Sequence, residues 1–342
     1  MYSAQGGQFL KEPLLMNLEN NVYLEGAKLV MIDRRKIPRE VVPVIADNYE
    51  DVARAIENMV IQGAGDIAIT AGFGLYLAAL ELEKTEGVLD IDKLAHAAAR
   101  LRATRPTGYH LAALLDRIMG RLKEDDLPVS EEILNFLNGV LVRQKEISQD
   151  TGRYGETLLE SGDTILTHCF AGPGLLYMLQ YAQENGKDIK VICTETRPYL
   201  QGARLTAWSV SELGLDTTLI TDNMAAHFMS RGVIDKVFTA ADRIAMDGTV
   251  ANKVGTLQLA ISAGYYNIPF YILGYGGPDR RTLKGDDIPI EERDPKEVLE
   301  FQGIPISGSD VHAYYPAFDL TPADLITGVI TRTGVDLRKN MG

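Results

Sequence analysis

Residues 163–196 read DTILTHCFAGPGLLYMLQYAQENGKDIKVICTET. Short β-branched and apolar runs open and close this stretch, and a helix-like segment with a glycine turn at its start lies between them. That is the pattern of a strand, a crossover helix and a second strand. Working outward, DTTLITD (216–222), KVFTAAD (236–242) and PFYILG (269–274) repeat the strand signal. YLQGARLTAWSVSEL, NMAAHFMSRG and NKVGTLQLAISAGYY fall between the strands and read as helices. This alternation predicts an α/β fold with a doubly wound parallel sheet. Ligands of such sheets bind at the carboxyl ends of the strands. Cys169, Glu195, Asp222 and Asp242 each close a predicted strand.

The pattern changes near residue 155. Before it, YLEGAKLVMID (23–33) reads as a hairpin with Glu25-Gly26 at its tip. From Asn48, apolar spacings of three and four are interrupted at Gly63-Ala64-Gly65, predicting helix, break, helix. Residues 91–148 read as helical, broken at Arg105-Pro106-Thr107-Gly108. The expected division is therefore a small N-terminal domain over residues 1–150, a β element followed by helices, and a sheet domain over 151–342.

The 342 residues carry a net charge of -13, which argues against a nucleic-acid partner or an anionic membrane surface. A local cluster of Arg, Lys and backbone N–H groups can still bind a small anion. Two cysteines, Cys169 and Cys193, do not make a disulfide framework, so a reducing, cytoplasmic setting is expected. MYSAQGGQFLKEPLLMN, residues 1–17, lacks the basic and apolar regions of a leader. No run of roughly 18 apolar residues is evident, so no membrane span is expected.

Several residues could carry chemistry. Cys169 precedes Ala171-Gly172-Pro173-Gly174, a glycine turn opening a helix. Free N–H groups and the helix dipole there favour a thiolate or a bound phosphate. The alternative is a small buried apolar residue, the usual fate of a free cysteine. Asp242 ends a strand beside alanines and Ile244. Desolvation would raise its pKa and suit it to general-acid work. Its alternative is a helix cap or an ion pair with Arg243. Asn252 and Lys253 precede Gly255, which reads as an anion-binding helix start; the alternative for Lys253 is a solvated surface lysine. Arg197, Gln201 and Arg204 crowd a strand-to-helix junction beside Trp208, the single tryptophan, and Arg105 stands in a loop of the helical half. No P-loop is found, and no G-x-G-x-x-G follows a strand. The five histidines show no metal-ligand spacing. His168 faces away from Cys169 by strand alternation, which argues against a Cys-His pair.

Taken together, THCFAG (167–172), TETRPYLQGARLTAW (194–208), AADRIAMDGTVANKVGT (240–256), IPIEERDPKEV (288–298) and YYPAFDLTPADLITGVIT (314–331) resemble the methylthioribose-1-phosphate isomerase family, which is related to the regulatory subunits of translation initiation factor 2B. The resemblance runs along nearly the whole chain. It implies a Rossmann-like C-terminal domain, a homodimer in the cytoplasm, a phosphorylated pentose as substrate, and neither metal nor nicotinamide cofactor. It further implies Cys169 and Asp242 as catalytic residues. Substrate binding would fall to Gln62, Gly63, Ala64, Arg105, Gln201, Asn252 and Lys253. Retention of both Cys169 and Asp242 points to an enzyme rather than a regulatory homologue.

Four departures from the family pattern stand out. Gln62 replaces an arginine in a loop that otherwise reads Arg-Gly-Ala-Pro-Ala, and Asp66 lies just beyond it. Phe170 replaces an asparagine after the cysteine. Ala240 replaces a glycine. GYGGPDRRTLKGDD (274–287) replaces a loop usually containing Ser-Thr-Ile-Asp, and its Arg280 or Arg281 is the expected substitute for the charge lost at position 62. The methylthio pentose 1-phosphate is the first expectation; 5-deoxyribose 1-phosphate and ribose 1,5-bisphosphate are its alternatives.

Overall fold

The computed structural model describes residues 12–86, 90–106, 108–122 and 128–338. Thr107 of the expected Arg105–Gly108 break, and residues 1–11 of the segment read above as carrying no leader, lie outside the described residues.

The first half forms a three-stranded antiparallel sheet and a helical layer. Strands β1 (Val22–Glu25) and β2 (Lys28–Ile32) make the expected hairpin, Glu25 pairing with Lys28. Gly26 takes φ +62° at its tip, a left-handed value that costs glycine little. Strand β3 (Pro43–Ala46) pairs with β2. Helix α1 (Tyr49–Glu57) starts at Asn48, whose side-chain oxygen accepts the Asp51 N–H at 2.9 Å. Helix α2 (Ala64–Glu86) starts one residue after Gly63, at φ +104°. The expected glycine break thus lies at residues 58–63, and Ala64 and Gly65 already belong to the helix. Helices α3 (Ile91–Ala103), α4 (Tyr109–Met119) and α5 (Val129–Glu156) complete the layer. Val52, Ile56, Ile69, Phe73, Leu101, Leu115 and Leu137 form its core.

Helix α2 is long and apolar enough to cross a membrane by length and composition, a feature the sequence reading passed over. Its most apolar window is 78% buried inside the protein, the setting of a core helix. Helix α5 continues through Asp150 and Thr151, so the position expected for a domain boundary falls inside a helix. It lies close against α6 (Pro173–Glu184), where a Cβ on Gly152 would come within 2.6 Å of the Tyr177 Cβ.

From residue 164 the chain alternates as expected: β4 (Thr164–Thr167), α6, β5 (Lys190–Thr194), α7 (Ala207–Glu212), β6 (Asp216–Ile220), α8 (Ala225–Ser230) and β7 (Lys236–Ala240). Next come β8 (Arg243–Ile244), β9 (Val250–Lys253), α9 (Thr256–Tyr265) and β10 (Phe270–Tyr275). The remainder holds α10 (Lys296–Leu299), β11 (Glu300–Phe301), β12 (Ile304–Pro305), β13 (Phe318–Thr321), β14 (Gly328–Thr331) and β15 (Gly334–Leu337). A seven-stranded sheet runs in the order β15-β14-β10-β7-β4-β5-β6. All its neighbours are parallel except β14 and β15.

Both faces of the central strands β4, β5, β7 and β10 are buried, which explains their continuous apolar runs, while the edge strands β6 and β15 are largely exposed. Ile165, Val191, Cys193 and Phe238 pack on one side with α6, while Leu166, Ile192, Val237 and Ile272 pack on the other with α8 and α9. Cys193 is thus a core residue, as its place in the strand implied.

The strand order carries the main functional information. From β4 the chain winds outward through β5 to β6, then crosses back to place β7 on the other side of β4. The gap between β4 and β7 is therefore the point where the winding reverses, and sheets of this kind bind ligands at that point. One expectation is corrected in part: a helix does start after Gly255, but Asn252 and Lys253 just before it lie in strand β9. They pair with Asp319 and Phe318 of β13, a distant segment whose partnership no local pattern could reveal.

Candidate active site

Cys169 and Asp242 follow β4 and β7, the two strands that flank the winding reversal. Cys169 has φ +60°, an uncommon backbone for a residue with a side chain. It is held from both ends: its N–H donates to Thr196 Oγ1 at 2.9 Å, and Thr206 Oγ1 donates to its carbonyl at 2.5 Å. Thr196 is itself left-handed, φ +64°. The Asp222 carboxylate fixes it by accepting the Thr196 and Arg197 N–H groups, each at 2.7 Å. Asp222 therefore supports the cysteine loop through Thr196. Strain of this kind persists only where its surroundings over-determine it, and it clusters at functional sites.

The helix-like stretch after Gln201 begins as a π-helical turn, Gly202–Thr206, before α7. A Cβ at Gly202 would sit 1.9 Å from the Thr194 carbonyl oxygen, so only glycine lets this turn lie against β5. Turns of this kind frequently mark functional sites.

Burial dominates the protonation states. It pushes the Cys169 thiol up, with the Lys253 ammonium pulling the other way. It pulls Lys253 down, opposed by Cys169. It raises Asp242 against the pull of His110, Arg243, Lys253 and Arg105. The expectation of a desolvated, raised Asp242 holds; at Cys169 the Phe170 N–H does favour a thiolate, but burial outweighs it and Lys253 together. The N–H groups at the start of α6 are not free. Gly174 donates to the Tyr275 hydroxyl at 3.1 Å, and that hydroxyl donates to the Ala171 carbonyl at 2.7 Å. A Cβ on Gly172 would lie 2.5 Å from the same oxygen, so the glycines make room for Tyr275.

The α9 end is closed in another way. Asp319 accepts the N–H of Gly255 at 2.7 Å and that of Leu257 at 3.2 Å. Burial raises its carboxyl to about 6. A phosphate at this helix start would meet a carboxylate already in place. Lys253 is buried, and its Nζ lies 4.9 Å from the Phe318 ring centroid and 5.7 Å from that of Tyr315. The Asn252 side chain donates to Thr256 Oγ1 at 2.9 Å.

The helical half contributes two loops. Arg105 reaches Glu291 at 2.8 Å and Met59 Sδ at 3.0 Å. Burial would raise Glu291, but the guanidiniums of Arg105 and Arg293 outweigh it and hold the carboxyl low. His110 Nε2 lies 3.1 Å from the Asp242 carbonyl oxygen. Gln62 is buried, donates to the Met59 carbonyl at 3.2 Å, and leaves its Oε1 without a partner among the described residues. Gln201 is buried with its Oε1 in the same condition. Its neighbours Arg197 and Arg204 spend their guanidiniums on backbone carbonyls: Arg197 on Val298 and Glu300, Arg204 on Tyr199 and Arg34.

Arg34 is the residue that sequence reasoning missed. Fully buried, it donates to the Gln62 carbonyl, pairs with Asp66 and Asn21 at 2.7 Å each, and lies 5.6 Å from the Phe170 ring centroid. Its Nη1 is 3.7 Å from where a Gly63 Cβ would stand. The cation at the 62–66 loop is thus Arg34, not Arg280 or Arg281. Arg280 is exposed, and Arg281 reaches Tyr109 instead. The available signal was the pair of arginines at the end of β2, which the hairpin reading left unused. Among the described residues, no group of three or more His, Cys, Asp or Glu side chains is arranged to hold a metal ion.

The fold and site define a mixed α/β protein built on one large, mostly parallel sheet, with Cys169 and Asp242 just past the ends of two of its strands. The chain belongs to the Initiation factor 2 subunit family, whose model matches residues 60–336. It is 43% identical to a methylthioribose-1-phosphate isomerase of Petrotoga mobilis, covering 90% of this chain and 92% of that one. It is 40% identical to a putative methylthioribose-1-phosphate isomerase of Methanothermobacter thermautotrophicus, covering 94% and 99%. The solved 5-methylthioribose 1-phosphate isomerase of Pyrococcus horikoshii OT3 superposes with a TM-score of 0.83 at 36% identity, covering 93% and 92%. A translation initiation factor eIF-2B delta subunit from A. fulgidus gives 0.77 at 34%, covering 92% and 95%.

Proposed function

We propose that this protein is an aldose-ketose isomerase converting 5-methylthioribose 1-phosphate to 5-methylthioribulose 1-phosphate. The observation that carries the reading is the placement of Cys169 and Asp242 on the two strands flanking the winding reversal, beside the buried Lys253. The isomerases named above are 36–43% identical over nine-tenths of the chain, which supports the same conclusion.

With O1 capped by phosphate, the sugar has no free hemiacetal to open. The protonated Asp242 carboxyl donates its proton to the ring oxygen as the C1–O bond breaks, leaving positive charge shared between C1 and O1. Hydrogen moves from C2 to C1, the 2-hydroxyl returns its proton to Asp242, and the C2 ketone results. The hydrogen stays within the substrate, so the balance closes without an external hydride carrier. A thiol kept neutral by burial suits the hydride route, in which Cys169 faces the developing cation. A thiolate would instead serve as base in the enol route. Gln62, Gly63, Ala64, Arg105, Gln201, Asn252 and Lys253 bind the substrate in this reading. The unpartnered oxygens of Gln62 and Gln201 are ready acceptors for sugar hydroxyls. The chain acts as a homodimer in the cytoplasm, with the small sheet and helical layer that end at α5 and a Rossmann-like unit from β4 onward forming the walls of the cleft.

The test is a proton NMR time course with 5-methylthioribose 1-phosphate, 5-deoxyribose 1-phosphate and ribose 1,5-bisphosphate, using wild type and Cys169→Ser. Ketose formed from the methylthio sugar alone, and lost in the variant, supports the assignment; preferred turnover of another sugar reassigns the substrate. Tight binding with no turnover of any would make the chain a sugar-phosphate-sensing regulatory homologue. With substrate deuterated at C2, the hydride route retains the label at C1, whereas wash-out to solvent assigns Cys169 as the base.

A further inference from the structure

Tyr315 is only 2% exposed, and its hydroxyl is buried with no hydrogen-bond partner among the described residues. Buried polar groups are almost always satisfied, so an orphan donor calls for an explanation. The backbone around it is firmly placed. Arg293 N–H donates to the Tyr315 carbonyl at 2.9 Å, Ala317 N–H donates to the Glu291 carbonyl at 2.8 Å, and Glu292 bridges to Pro316. Three residues on, Phe318 is in register with Lys253. The phenol ring therefore stands against the Lys253 ammonium, 5.7 Å from its Nζ to the ring centroid. Tyr199, its ring centroid 6.5 Å away, offers a control within the same molecule. The Tyr199 hydroxyl donates to Glu297 at 3.1 Å and accepts from Arg293 at 2.5 Å. Of two adjacent phenols, one is engaged by the protein and the other is buried without a partner among the described residues.

We infer that the Tyr315 hydroxyl donates a hydrogen bond to an oxygen of the substrate phosphate bound at Lys253, making Tyr315 a substrate-binding residue. An ammonium attracts the anion, and the phenol adds a directed donor of the type a phosphate oxygen accepts. The inference rests on the isomerase reading for its substrate, but not for its test.

The probe is inorganic phosphate, titrated into wild type and Tyr315→Phe by calorimetry, with unfolding temperatures measured in the absence of ligand. The phenylalanine keeps the ring and removes only the oxygen. The expected result is phosphate affinity weakened about tenfold or more, with the ligand-free unfolding temperature unchanged or raised, because an unsatisfied buried hydroxyl has been removed. Tyr199→Phe should do the reverse, lowering the unfolding temperature and leaving phosphate affinity unchanged. Equal phosphate affinity in Tyr315→Phe and wild type overturns the inference. So does a lack of phosphate binding by the wild type. Turnover of the methylthio sugar is scored separately, so failure of the isomerase reading and failure of the Tyr315 assignment remain distinguishable.

Discussion

The turns that open α6 and α9 look alike in sequence, each a strand end followed by glycine and a helix, yet they are filled differently. At α6 the neutral Tyr275 hydroxyl takes the Gly174 N–H beside Cys169; at α9 the Asp319 carboxylate takes the Gly255 N–H beside Lys253. Neither helix start is left open for phosphate. A neutral plug beside the thiol adds no charge to a site already short of water. A carboxylate beside the ammonium adds a countercharge where a cation is buried. Glycine before a helix therefore signals close approach of something, and the tertiary partner decides what.

The largest effects should separate the two turns by function. Cys169→Ser and Asp242→Asn are expected to lower kcat by about two to four decades. Lys253→Met is expected to act chiefly on KM, as loss of a group that binds substrate and transition state alike. Steady-state kinetics on the three variants decides this, and a kcat effect of Lys253→Met as large as that of Cys169→Ser would erase the distinction.

Next in size is the frame around Cys169. Gly202→Ala drives a methyl group into the Thr194 carbonyl, and a cost of about 3 kcal/mol or more is expected in urea unfolding. A cost near zero would mean that the π-helical turn is soft and does not fix the cysteine.

The α9 plug has a pH signature. The Asp319 carboxyl is raised to about 6, above the unfolded value of about 3.9. The folded state therefore binds the proton more tightly. That contribution is fully present below about pH 4 and is lost as pH rises through about 6. Asp319→Asn keeps an oxygen for the Gly255 N–H but cannot titrate. Between pH 4 and 7, wild type should lose about 2–3 kcal/mol relative to the variant. Parallel stability curves would show that the carboxyl titrates normally.

The smallest effect belongs to the neutral plug. Tyr275→Phe removes the hydrogen bonds to Gly174 and Ala171 and should cost about 1–2 kcal/mol with little pH dependence. A strong pH dependence in that difference would mean the two plugs are not distinguished by charge.

Much of the fold was legible. Every strand expected between residues 163 and 274 is present: β4, β5, β7 and β10 are buried on both faces and write themselves as short apolar runs, while the largely exposed edge strand β6 is marked by its threonines, Leu219 and Ile220. The β1–β2 hairpin followed from its Glu25-Gly26 turn, α1 and α2 from apolar spacing, and the helices of residues 91–148 from composition. A helix does start after Gly255, but Asn252 and Lys253, read as part of the helical stretch, lie in β9. These residues form a strand only because β13 pairs with them, and that partner lies far along the chain. Arg280 and Arg281 were misjudged as the compensating cations for a related reason. Sequence proximity to the site motifs said nothing about Arg34, which reaches the 62–66 loop from the end of β2.

What the sequence determined by itself was the set of strand ends, with Cys169, Glu195, Asp222 and Asp242 at the carboxyl edge of one sheet, since apolar periodicity and glycine turns are local properties. Tertiary structure alone decided that β7 lies beside β4, bringing Asp242 and Cys169 to the same winding reversal. It also decided that Tyr275 and Asp319 close the two helix starts, and that burial pushes both the Cys169 thiol and the Asp242 carboxyl up. Strand order, distant side-chain pairing and desolvation depend on which remote segments pack together, and no window of sequence contains both partners.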